Sequence, residues 1–569
     1  MKSVFGILTV LYCICVFYLL FHIDDSTSRD KRDATPSKCT PRVPQTSPSR
    51  KLVLKPAPVI QQPMQYGPGQ NGTRVIFDGL LSENDKRLIS EHYKKYDYNA
   101  FISDMVPVPR ILPDYRPDSC RRLNYPSNLP KVSVIIPFRN ERLSVLLRTV
   151  YGILFYSPEK LLEEIILIDD ASTELDLKHK LDVHVRSLPQ VILIRKRVNV
   201  GLMMARQAGI DRCKANYFIC MDSHMEVSLG WLEPILNRLV EKPKALLCSN
   251  LGAISNDNFM VSHNRVPFGI AFDFPFFAWN FEQQQARYSG AYKMSRTNLT
   301  EPILMGSVMG MMICMKKSWF QQLGGFDPGM RVWGSEQIEL SVKVWMCGGL
   351  VEMIPCSYVA HIYRRIVWNV RHVGMVNKYR LVETWVDEPY KQIIYDYSQE
   401  KPREVNIGDI SDRVKVREEN QCKSFQYFLD KVREFSDFHI PTESKKIATL
   451  TNFYSHLCLD RNGNNDFPIQ FPCNERGSAQ LFELTERSEL RHLGHCLYIT
   501  NKNNVMLKHC DHFLNEKEKE WSYSETDKTL KHELSGNCLT GERETSDVTV
   551  SPCSQSHSQK WIWEPVKIK

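Results

Sequence analysis

Four short apolar runs, separated by helical lengths of chain, constrain the fold of this sequence more than any other feature. Continuous apolar strands that alternate with helices are typical of a parallel sheet covered on both faces. We therefore predict an α/β domain whose strands lie at Val132–Phe138, Glu164–Asp170, Val191–Arg197 and Tyr217–Asp222.

Polar residues follow three of these runs at the point where the predicted strands end. They are Arg139–Glu141, Asp169–Asp170 and Asp222–His224. Ligands of open α/β sheets bind beyond the carboxyl ends of the strands. One such ending is typical of a strand that runs into solvent, but three in one sheet favour a binding site.

Asp222 and His224 are two residues apart on an extended segment, so their side chains point to the same side. A carboxylate and an imidazole in this arrangement can bind one divalent ion, and His361 in PCSYVAHIYRR is a third candidate ligand. Such mixed ligands suit Mn²⁺ better than a structural zinc site. Taken alone, an Asp-x-His pair is nonspecific, and ordinary hydrogen bonding would be the favoured interpretation.

The segment Gly324–Gly349 contains a second candidate cluster. Trp333 offers an aromatic face beside Gly334, and Glu336 can accept hydrogen bonds from sugar hydroxyls just before a predicted helix. A stacking ring with carboxylate acceptors is common in sugar sites. The same cluster at a helix start is otherwise typical of packing and capping.

The C-terminal region repeats itself three times with a period of about 40 residues. Each copy contains a cysteine pair about 15 residues apart, and each pair can close a small loop within its own repeat. The pairs are Cys458 with Cys473, Cys496 with Cys510, and Cys538 with Cys553.

The N-terminus predicts a membrane anchor. Residues 1–3 form a short tail, and the apolar run at 4–22 is just long enough to span a bilayer. A cleaved signal peptide is the competing interpretation, but this run is longer than a usual signal core and no small-x-small site follows it. We therefore expect a retained signal-anchor with the rest of the chain on the lumenal side.

A lumenal stem is predicted at 23–115, because the chain after the anchor is rich in Pro, Ser, Thr, Gln and charge. The 17 cysteines fit an oxidising compartment. Asn71 and Asn298 begin triplets that could accept N-linked glycans. The net charge of +8 is diffuse, with no basic block, so we expect no nucleic-acid partner.

These motifs together resemble the polypeptide N-acetylgalactosaminyltransferases, the membrane-anchored Golgi enzymes that begin mucin-type O-glycosylation. The resemblance runs from about Arg116 to the C-terminus. It is carried, in the family's order, by EIILIDDAS, GLMMARQAG, MDSH with GWLEPIL, FDPGMRVWGSEQIELSVKVWMCGG and PCSYVAHIYR, followed by the three ricin-like repeats.

The resemblance implies an α/β nucleotide-sugar-binding domain of the Rossmann-like GT-A fold at 116–430, a linker at 431–446 and a ricin B-type β-trefoil lectin domain at 447–566. It also implies a single-pass type II protein of the Golgi membrane with a lumenal catalytic part. Two further disulfides are expected from it, Cys120–Cys356 and Cys347–Cys422.

For the site, the resemblance implies Mn²⁺ as cofactor, UDP-GalNAc as donor and Ser/Thr-containing proteins or glycopeptides as acceptors. It assigns metal ligation to Asp222, His224 and His361. It assigns substrate binding to Asp170, Asn199, Ser223, Trp333 and Arg364. Glu336 takes a catalytic position, and no protein nucleophile is expected because the family retains anomeric configuration by front-face transfer.

Several residues depart from the family pattern. The family has Arg and Glu where this chain has Asn199–Val200, WGGEN where it has WGSEQ with Ser335 and Gln337, and His and Tyr where it has Val367 and Asn369. Losing the Arg donor would weaken nucleotide binding by about 1.5–3 kcal/mol unless Arg197 or Arg206 replaces it.

The lectin repeats are also uneven. Sugar-binding repeats of this type use an Asp after Cys-Leu, and only Asp460 supplies one, since Tyr498 and Thr540 stand in the other copies. The first copy has Ala479 where an Asn is expected. A trefoil that mainly supports the catalytic domain is an equally good interpretation.

Two functions follow from these observations. The first is a Mn²⁺-dependent, retaining transfer of GalNAc from UDP-GalNAc to Ser or Thr hydroxyls of proteins, favoured by the complete set Asp222, His224 and His361. The second is a catalytically weak or inactive relative that binds glycoproteins through its trefoil, favoured by Asn199 and Val367.

Overall fold

The computed structural model describes residues 67–565, apart from 78, 80, 263–273, 278, 280–282, 287, 365–370, 399–404, 464, 475–477, 501–502, 511–512, 514 and 544. The predicted tail, the predicted anchor at 4–22 and the first part of the predicted stem lie outside these residues. Among the described helices, none is both long enough and apolar enough to cross a membrane.

The four predicted strands pair in parallel within a ten-stranded sheet, which confirms the α/β prediction. The strands of this sheet are β1 Val132–Phe138, β2 Leu162–Asp169, β3 Val191–Arg195, β4 Tyr217–Met221, β5 Met225–Val227, β6 Ala245–Ile254, β7 Val261–Ser262, β10 Ile303–Leu304, β11 Met312–Lys316 and β12 Leu350–Ile362; β8 Phe274–Phe277 and β9 Gln283–Ala286 form a separate hairpin. The strand order is β10-β12-β6-β11-β4-β1-β2-β3, with β5 paired to β12 and β7 paired to β6. The sheet is mixed, because β11 runs antiparallel to both β4 and β6, whereas β6 and β12 pair in parallel.

Both faces of this sheet are buried, because alternate residues of β1 belong to two different apolar clusters. Ile135 packs into one cluster, whereas Val134 and Ile136 pack into the other. Helices supply the other sides of these clusters. The helices are α1 Glu83–Tyr96, α2 Ala100–Met105, α3 Asp118–Arg121, α4 Leu143–Tyr156, α5 His179–Arg186, α6 Leu202–Arg212, α7 Glu233–Glu241, α8 Gly290–Ser295, α9 Lys317–Gln322, α10 Glu336–Met346, α11 Arg371–Trp385, α12 Tyr390–Tyr397, α13 Ser411–Glu419 and α14 Phe425–Arg433.

The prediction of a stem that extends to residue 115 is wrong for its C-terminal part. Helices α1 and α2 lie within 67–115, and Tyr98 and Ile102 are buried in the same apolar cluster as the interior of β1. Arg110 forms a buried ion pair with Glu226, the middle residue of β5. The helices of this segment also carry many polar residues, so the sequence did not show that other side chains of the same helices are buried.

The C-terminal domain is the predicted trefoil. Each repeat buries the Leu that follows its first cysteine, and these leucines surround one core with Phe482, Trp521 and Trp561. The indole N–H of Trp521 donates to the carbonyl of Leu497, and that of Trp561 donates to the carbonyl of Leu539, each at 3.0 Å. The strands are β13 Ser444–Asn452, β14 Leu457–Asp460, β15 Ile469–Pro472, β16 Leu481–Thr485, β17 Leu490–His492, β18 His495–Ile499, β19 Val505–His509, β20 Trp521–Tyr523, β21 Leu530–His532, β22 Asn537–Gly541, β23 Val548–Pro552 and β24 Trp561–Glu564.

The connection between the domains is packed. The predicted linker at 431–446 overlaps the end of α14 and the beginning of β13, and Phe435 and Ile440 are buried in the core of the α/β domain. Across the interface, the hydroxyl of Tyr397 donates to Glu483 at 3.1 Å, and His439 Nε2 lies 2.9 Å from the same carboxylate.

The predicted disulfides are confirmed. Within the described residues, bonds join Cys120–Cys356, Cys347–Cys422, Cys458–Cys473, Cys496–Cys510 and Cys538–Cys553. Both asparagines of the predicted glycosylation triplets, Asn71 and Asn298, are exposed.

Candidate functional site

The pairing of β5 with β12 brings the three predicted metal ligands together. Asp222 follows β4 and His224 precedes β5, while His361 lies on β12 opposite Met225. The amide of Ile362 donates to the carbonyl of His224 at 3.2 Å. One ligand atom from each of the three side chains lies within 4.8 Å of the others, and we call these residues the metal-ligand cluster.

His361 provides the test of whether this cluster fits a cation. Its side chain is buried, and neither ring nitrogen has a hydrogen-bond partner in the part of the chain that the structure describes. Oδ2 of Asp222 lies 3.5 Å from Nε2. Buried polar groups are normally satisfied, because an unmade bond costs about 1–3 kcal/mol. A carboxylate, two imidazoles and an unpaired nitrogen together fit Mn²⁺, which accepts both kinds of ligand.

The protonation states of the cluster also suit a cation. Burial raises the pKa of Asp222, but His361 and Arg206 outweigh it and bring that pKa to about 2. Burial and the Arg364 guanidinium lower the pKa of His224 to about 4. An ionised carboxylate and a neutral imidazole are the forms that ligate metals.

Arg206, on α6, joins the metal-ligand cluster to the predicted catalytic carboxylate. Its Nη2 donates to Asp222 Oδ1 at 3.0 Å and to the carbonyl of Gly310 at 2.6 Å. Its Nη1 lies 3.5 Å from Oε1 of Glu336. Because the guanidinium is buried and committed to these groups, it does not replace the Arg that is missing at position 199.

Glu336 lies at the first position of α10 and is buried. Its Oε2 accepts a hydrogen bond from the amide of Gly334 at 2.9 Å, and burial raises its pKa. The ring of Trp333, two residues before the helix cap, is 42% exposed and remains accessible for stacking. This arrangement places an accessible aromatic face beside the buried carboxylate.

Asn377 holds the loop that carries Trp333, and sequence reasoning missed it. Its amide nitrogen lies within 3.2 Å of the carbonyls of Arg331, Trp333 and Gly334, and its Oδ1 accepts from the amide of Arg331. The loop is also strained, since Ser335 has a φ of 67°. Glycine, which the family has at that position, adopts such a conformation without a steric penalty.

Asp170 lies beside the departures at 199 and 200 but is already bonded to them. Its carboxylate accepts hydrogen bonds from the amide of Val200 at 2.7 Å, the amide of Gly201 at 3.0 Å and the side chain of Asn199 at 3.1 Å. We call Asp170 with Asn199–Gly201 the turn cluster. Its carboxylate, predicted to contact uridine, is therefore largely saturated by the chain itself.

The turn cluster packs directly against the loop of Trp333. A Cβ on Gly201 would lie 2.8 Å from the backbone nitrogen of Val332, so only glycine fits there. The amide of Leu202 donates to the carbonyl of Val332 at 2.9 Å. The turn that carries the departures at 199 and 200 therefore contacts the loop that carries the departure at 335.

Sequence reasoning placed Glu141 among the polar residues that follow β1 but gave it no role of its own. It is buried and bonds to two predicted site residues, Ser223 and Arg364, and its Oε2 lies 3.0 Å from Nδ1 of His224. Burial raises its pKa, but Arg364 and His224 outweigh that effect and hold the pKa well below its usual range. The available signal was its position shortly after β1.

Two further predictions concern other parts of the chain. Val367 and Asn369 lie outside the described residues. In the trefoil, Asp460 Oδ2 accepts from Gln480 at 3.0 Å and Oδ1 accepts from the amide of Asn462 at 2.7 Å. In the third repeat, the hydroxyl of Thr540 takes the place of this carboxylate and accepts a hydrogen bond from Gln559 at 3.3 Å.

Comparisons with known proteins agree with this geometry. Residues 133–324 match the model of glycosyl transferase family 2, residues 294–365 match the N-terminal domain of galactosyltransferase, and residues 446–561 match the ricin-type β-trefoil lectin domain.

Full-length relatives cover almost all of the chain. It is 33% identical over 510 residues to human polypeptide N-acetylgalactosaminyltransferase 13, covering 88% of this chain and 89% of the relative. It is 32% identical over 520 residues to putative polypeptide N-acetylgalactosaminyltransferase 9 of Drosophila melanogaster, covering 89% of this chain and 78% of the relative. A crystal structure of GalNAc-T7 with UDP, GalNAc and Mn²⁺ superposes with a TM-score of 0.69 at 30% identity, covering 90% of this chain and 94% of that one. The chain therefore belongs to the polypeptide N-acetylgalactosaminyltransferase family.

Proposed function

We propose that this protein transfers N-acetylgalactosamine from UDP-GalNAc to Ser or Thr hydroxyls of proteins or glycopeptides, with Mn²⁺ as cofactor. The observation that carries the proposal is the metal-ligand cluster, in which three ligand atoms converge within 4.8 Å and the ring nitrogens of His361 have no hydrogen-bond partner within the described residues. The solved relative with UDP, GalNAc and Mn²⁺ supports the same assignment.

Asp222, His224 and His361 would hold Mn²⁺, which as a Lewis acid would neutralise the charge that develops on departing UDP. Arg206 fixes the Asp222 carboxylate through the 3.0 Å bond, and Glu141 lies against the other side of His224. The chain therefore presets the ligands before the donor arrives, which reduces reorganisation during the reaction.

The transfer breaks the bond between C1 of the sugar and the β-phosphate oxygen, and forms a bond between C1 and the acceptor oxygen. The acceptor hydroxyl proton leaves to the departing phosphate, so the reaction needs no protein nucleophile. Glu336 and Trp333 would position the sugar, the first by accepting hydroxyl hydrogen bonds and the second by stacking. Arg364 would add a positive charge for the phosphates of the donor.

A second candidate function is binding of glycoproteins without turnover. The specific observation in its favour is the turn cluster, in which Asp170 already accepts hydrogen bonds from Asn199, Val200 and Gly201. A carboxylate with three donors has little capacity left for a nucleotide. In this case, the trefoil, with Asp460 in its first repeat, would carry the function.

One experiment distinguishes the two functions. The full-length protein in detergent is incubated with UDP-GalNAc, Mn²⁺ and a panel of Ser/Thr peptides and GalNAc-peptides, and product masses are measured. A peptide that gains one N-acetylhexosamine, with the gain lost on chelation, supports the transferase. Binding of GalNAc-peptides without any mass gain supports the second function.

We also propose that the protein is a single-pass type II protein of the Golgi membrane with its folded part in the lumen. The apolar run at 4–22 and the five disulfides support this placement, because disulfides persist in oxidising compartments. Retention in the membrane fraction after alkaline carbonate extraction is the expected result. Release with a new N-terminus near residue 24 would contradict the anchor.

A further inference from the structure

Tyr98 extends from the folded N-terminal segment to the polar groups behind the metal-ligand cluster. Its side chain is fully buried, and its hydroxyl donates a hydrogen bond to Oε1 of Glu141. The guanidinium of Arg364 lies over its ring, 5.3 Å from the ring centre. A residue of the region predicted as a stem therefore contacts two groups of the candidate site.

Glu141 collects hydrogen bonds from several directions. Besides Tyr98, its carboxylate accepts from the Oγ of Ser223 at 2.9 Å, from the guanidinium of Arg364 and from the amide of Arg142 at 3.0 Å. Its Oε2 also lies 3.0 Å from Nδ1 of His224. A carboxylate offers about four lone-pair sites, and the four donors other than His224 already match that number, so they determine the position of the Glu141 carboxylate.

We propose that Glu141 and Tyr98 are positioning residues, with Glu141 orienting His224 and Arg364, and Tyr98 holding Glu141 in place. A metal-bound histidine commonly donates its second ring N–H to a carboxylate, which fixes the tautomer and the ring orientation. Nδ1 of His224 faces both Oε2 of Glu141, at 3.0 Å, and Nη2 of Arg364, at 2.9 Å, and this leaves Nε2 for the cation. The inference rests on the proposed function, since it requires a metal at this cluster.

The same contacts give Tyr98 a role that burial alone does not explain. A phenylalanine would fill the same space and keep the ring under Arg364, but it would leave Glu141 without its donor from the N-terminal segment. The hydroxyl therefore couples the folding of this segment to the orientation of the metal ligands. Removal of the Tyr98 hydroxyl should therefore change the Mn²⁺ affinity only by changing the position of Glu141.

The test measures Mn²⁺ affinity directly, by the electron paramagnetic resonance signal of free Mn²⁺ during titration of the full-length protein in detergent. Glu141→Gln should weaken binding about 10- to 100-fold, as expected for the loss of a carboxylate behind a ligating histidine. Tyr98→Phe should weaken it about two- to tenfold, the effect of one hydrogen bond. The double variant should bind as Glu141→Gln does.

Tyr93→Phe is the matched control, because it removes a tyrosine hydroxyl that donates to Asp257 at 2.7 Å in the same segment but away from the site. It should leave Mn²⁺ affinity unchanged. Thermal unfolding of each variant shows whether it folds, and if Glu141→Gln does not, Tyr98→Phe decides alone.

The outcomes separate this inference from the proposed function. A wild-type protein that binds Mn²⁺, with a folded Tyr98→Phe or Glu141→Gln variant that binds it equally well, would overturn only the positioning role. An additive loss in the double variant would overturn the claim that Tyr98 acts through Glu141. A wild-type protein that does not bind Mn²⁺ would overturn the proposed function and the inference together.

Discussion

The metal-ligand cluster and the turn cluster lie at the same edge of one sheet, but they differ in what their side chains are bonded to. In the first, neither ring nitrogen of His361 has a hydrogen-bond partner among the described residues, and Asp222 is held by Arg206 with its second oxygen directed toward His361. In the second, the Asp170 carboxylate already accepts three hydrogen bonds from Asn199–Gly201.

This difference indicates which part of the site is prepared for a ligand. Unsatisfied groups in a rigid frame gain the most from binding a cation, whereas a carboxylate that already accepts three hydrogen bonds has little capacity left for a nucleotide. We therefore expect the protein to bind Mn²⁺ as the family does and the nucleotide more weakly. The following changes test each half of that expectation.

The largest effect is expected from Asp222→Ala. It removes a ligand and leaves Arg206 without its carboxylate, so Mn²⁺ affinity should fall by more than about 100-fold and transfer should be lost. Calorimetric titration of Mn²⁺ measures it. The control is Asp211→Ala, which removes an exposed carboxylate on α6 and should bind Mn²⁺ as the wild type does. Near-normal Mn²⁺ binding by Asp222→Ala would show that Asp222 is not a metal ligand.

Arg206→Met should destabilise the fold by about 3 kcal/mol, because it leaves the buried carboxylate of Glu336 and that of Asp222 without their shared cation. Urea unfolding followed by circular dichroism gives the change in the free energy of unfolding. Arg212→Met, at an exposed position of the same helix, should change it by less than about 0.5 kcal/mol. Equal effects of the two variants would mean that Arg206 does not join the two carboxylates.

Asn199→Arg should strengthen UDP binding about tenfold in the presence of Mn²⁺, because it restores a charged donor at an exposed position beside Asp170. Calorimetric titration of UDP compares it with the wild type. Asn199→Ala serves as control, since it releases Asp170 from one donor without adding a charge. If Asn199→Arg binds UDP no better than the wild type does, the weakness of the turn cluster has another cause.

Ser335→Gly should stabilise the protein by about 0.5–1 kcal/mol. Relief of the left-handed conformation at a φ of 67° is worth about 1–2 kcal/mol, and the added freedom of glycine in the unfolded chain offsets about 0.4–1 kcal/mol of it. Ser335→Ala keeps the strain and should leave stability unchanged. Identical melting temperatures for all three proteins would show that this loop stores no strain.

The sequence was sufficient for some features of this site because their signals are local. The i, i+2 spacing of Asp222 and His224 places both side chains on one side of an extended segment, and the repeated Cys-Leu pattern identifies each unit of the trefoil. Neither inference requires knowledge of distant contacts.

Other features depend on contacts between distant segments, which no local pattern reports. Glu141 is 83 residues from His224, and Tyr98 is 43 residues from Glu141. The antiparallel insertion of β11 between β4 and β6 likewise follows from the packing of the whole sheet. The hydrogen bonds to the Asp170 carboxylate could not be predicted from the sequence either, because the amides that donate to it are 30 and 31 residues later in the chain.

Calorimetric titration of Mn²⁺ into the full-length protein and its His361→Ala variant shows whether the metal-ligand cluster binds a cation. We expect one ion bound per wild-type chain, displaced by a chelator, and a binding isotherm that is lost in His361→Ala while the variant keeps its thermal transition. If the folded wild-type protein takes up no Mn²⁺, or if His361→Ala binds it with unchanged affinity, His361 is not a ligand and the proposed metal site is wrong.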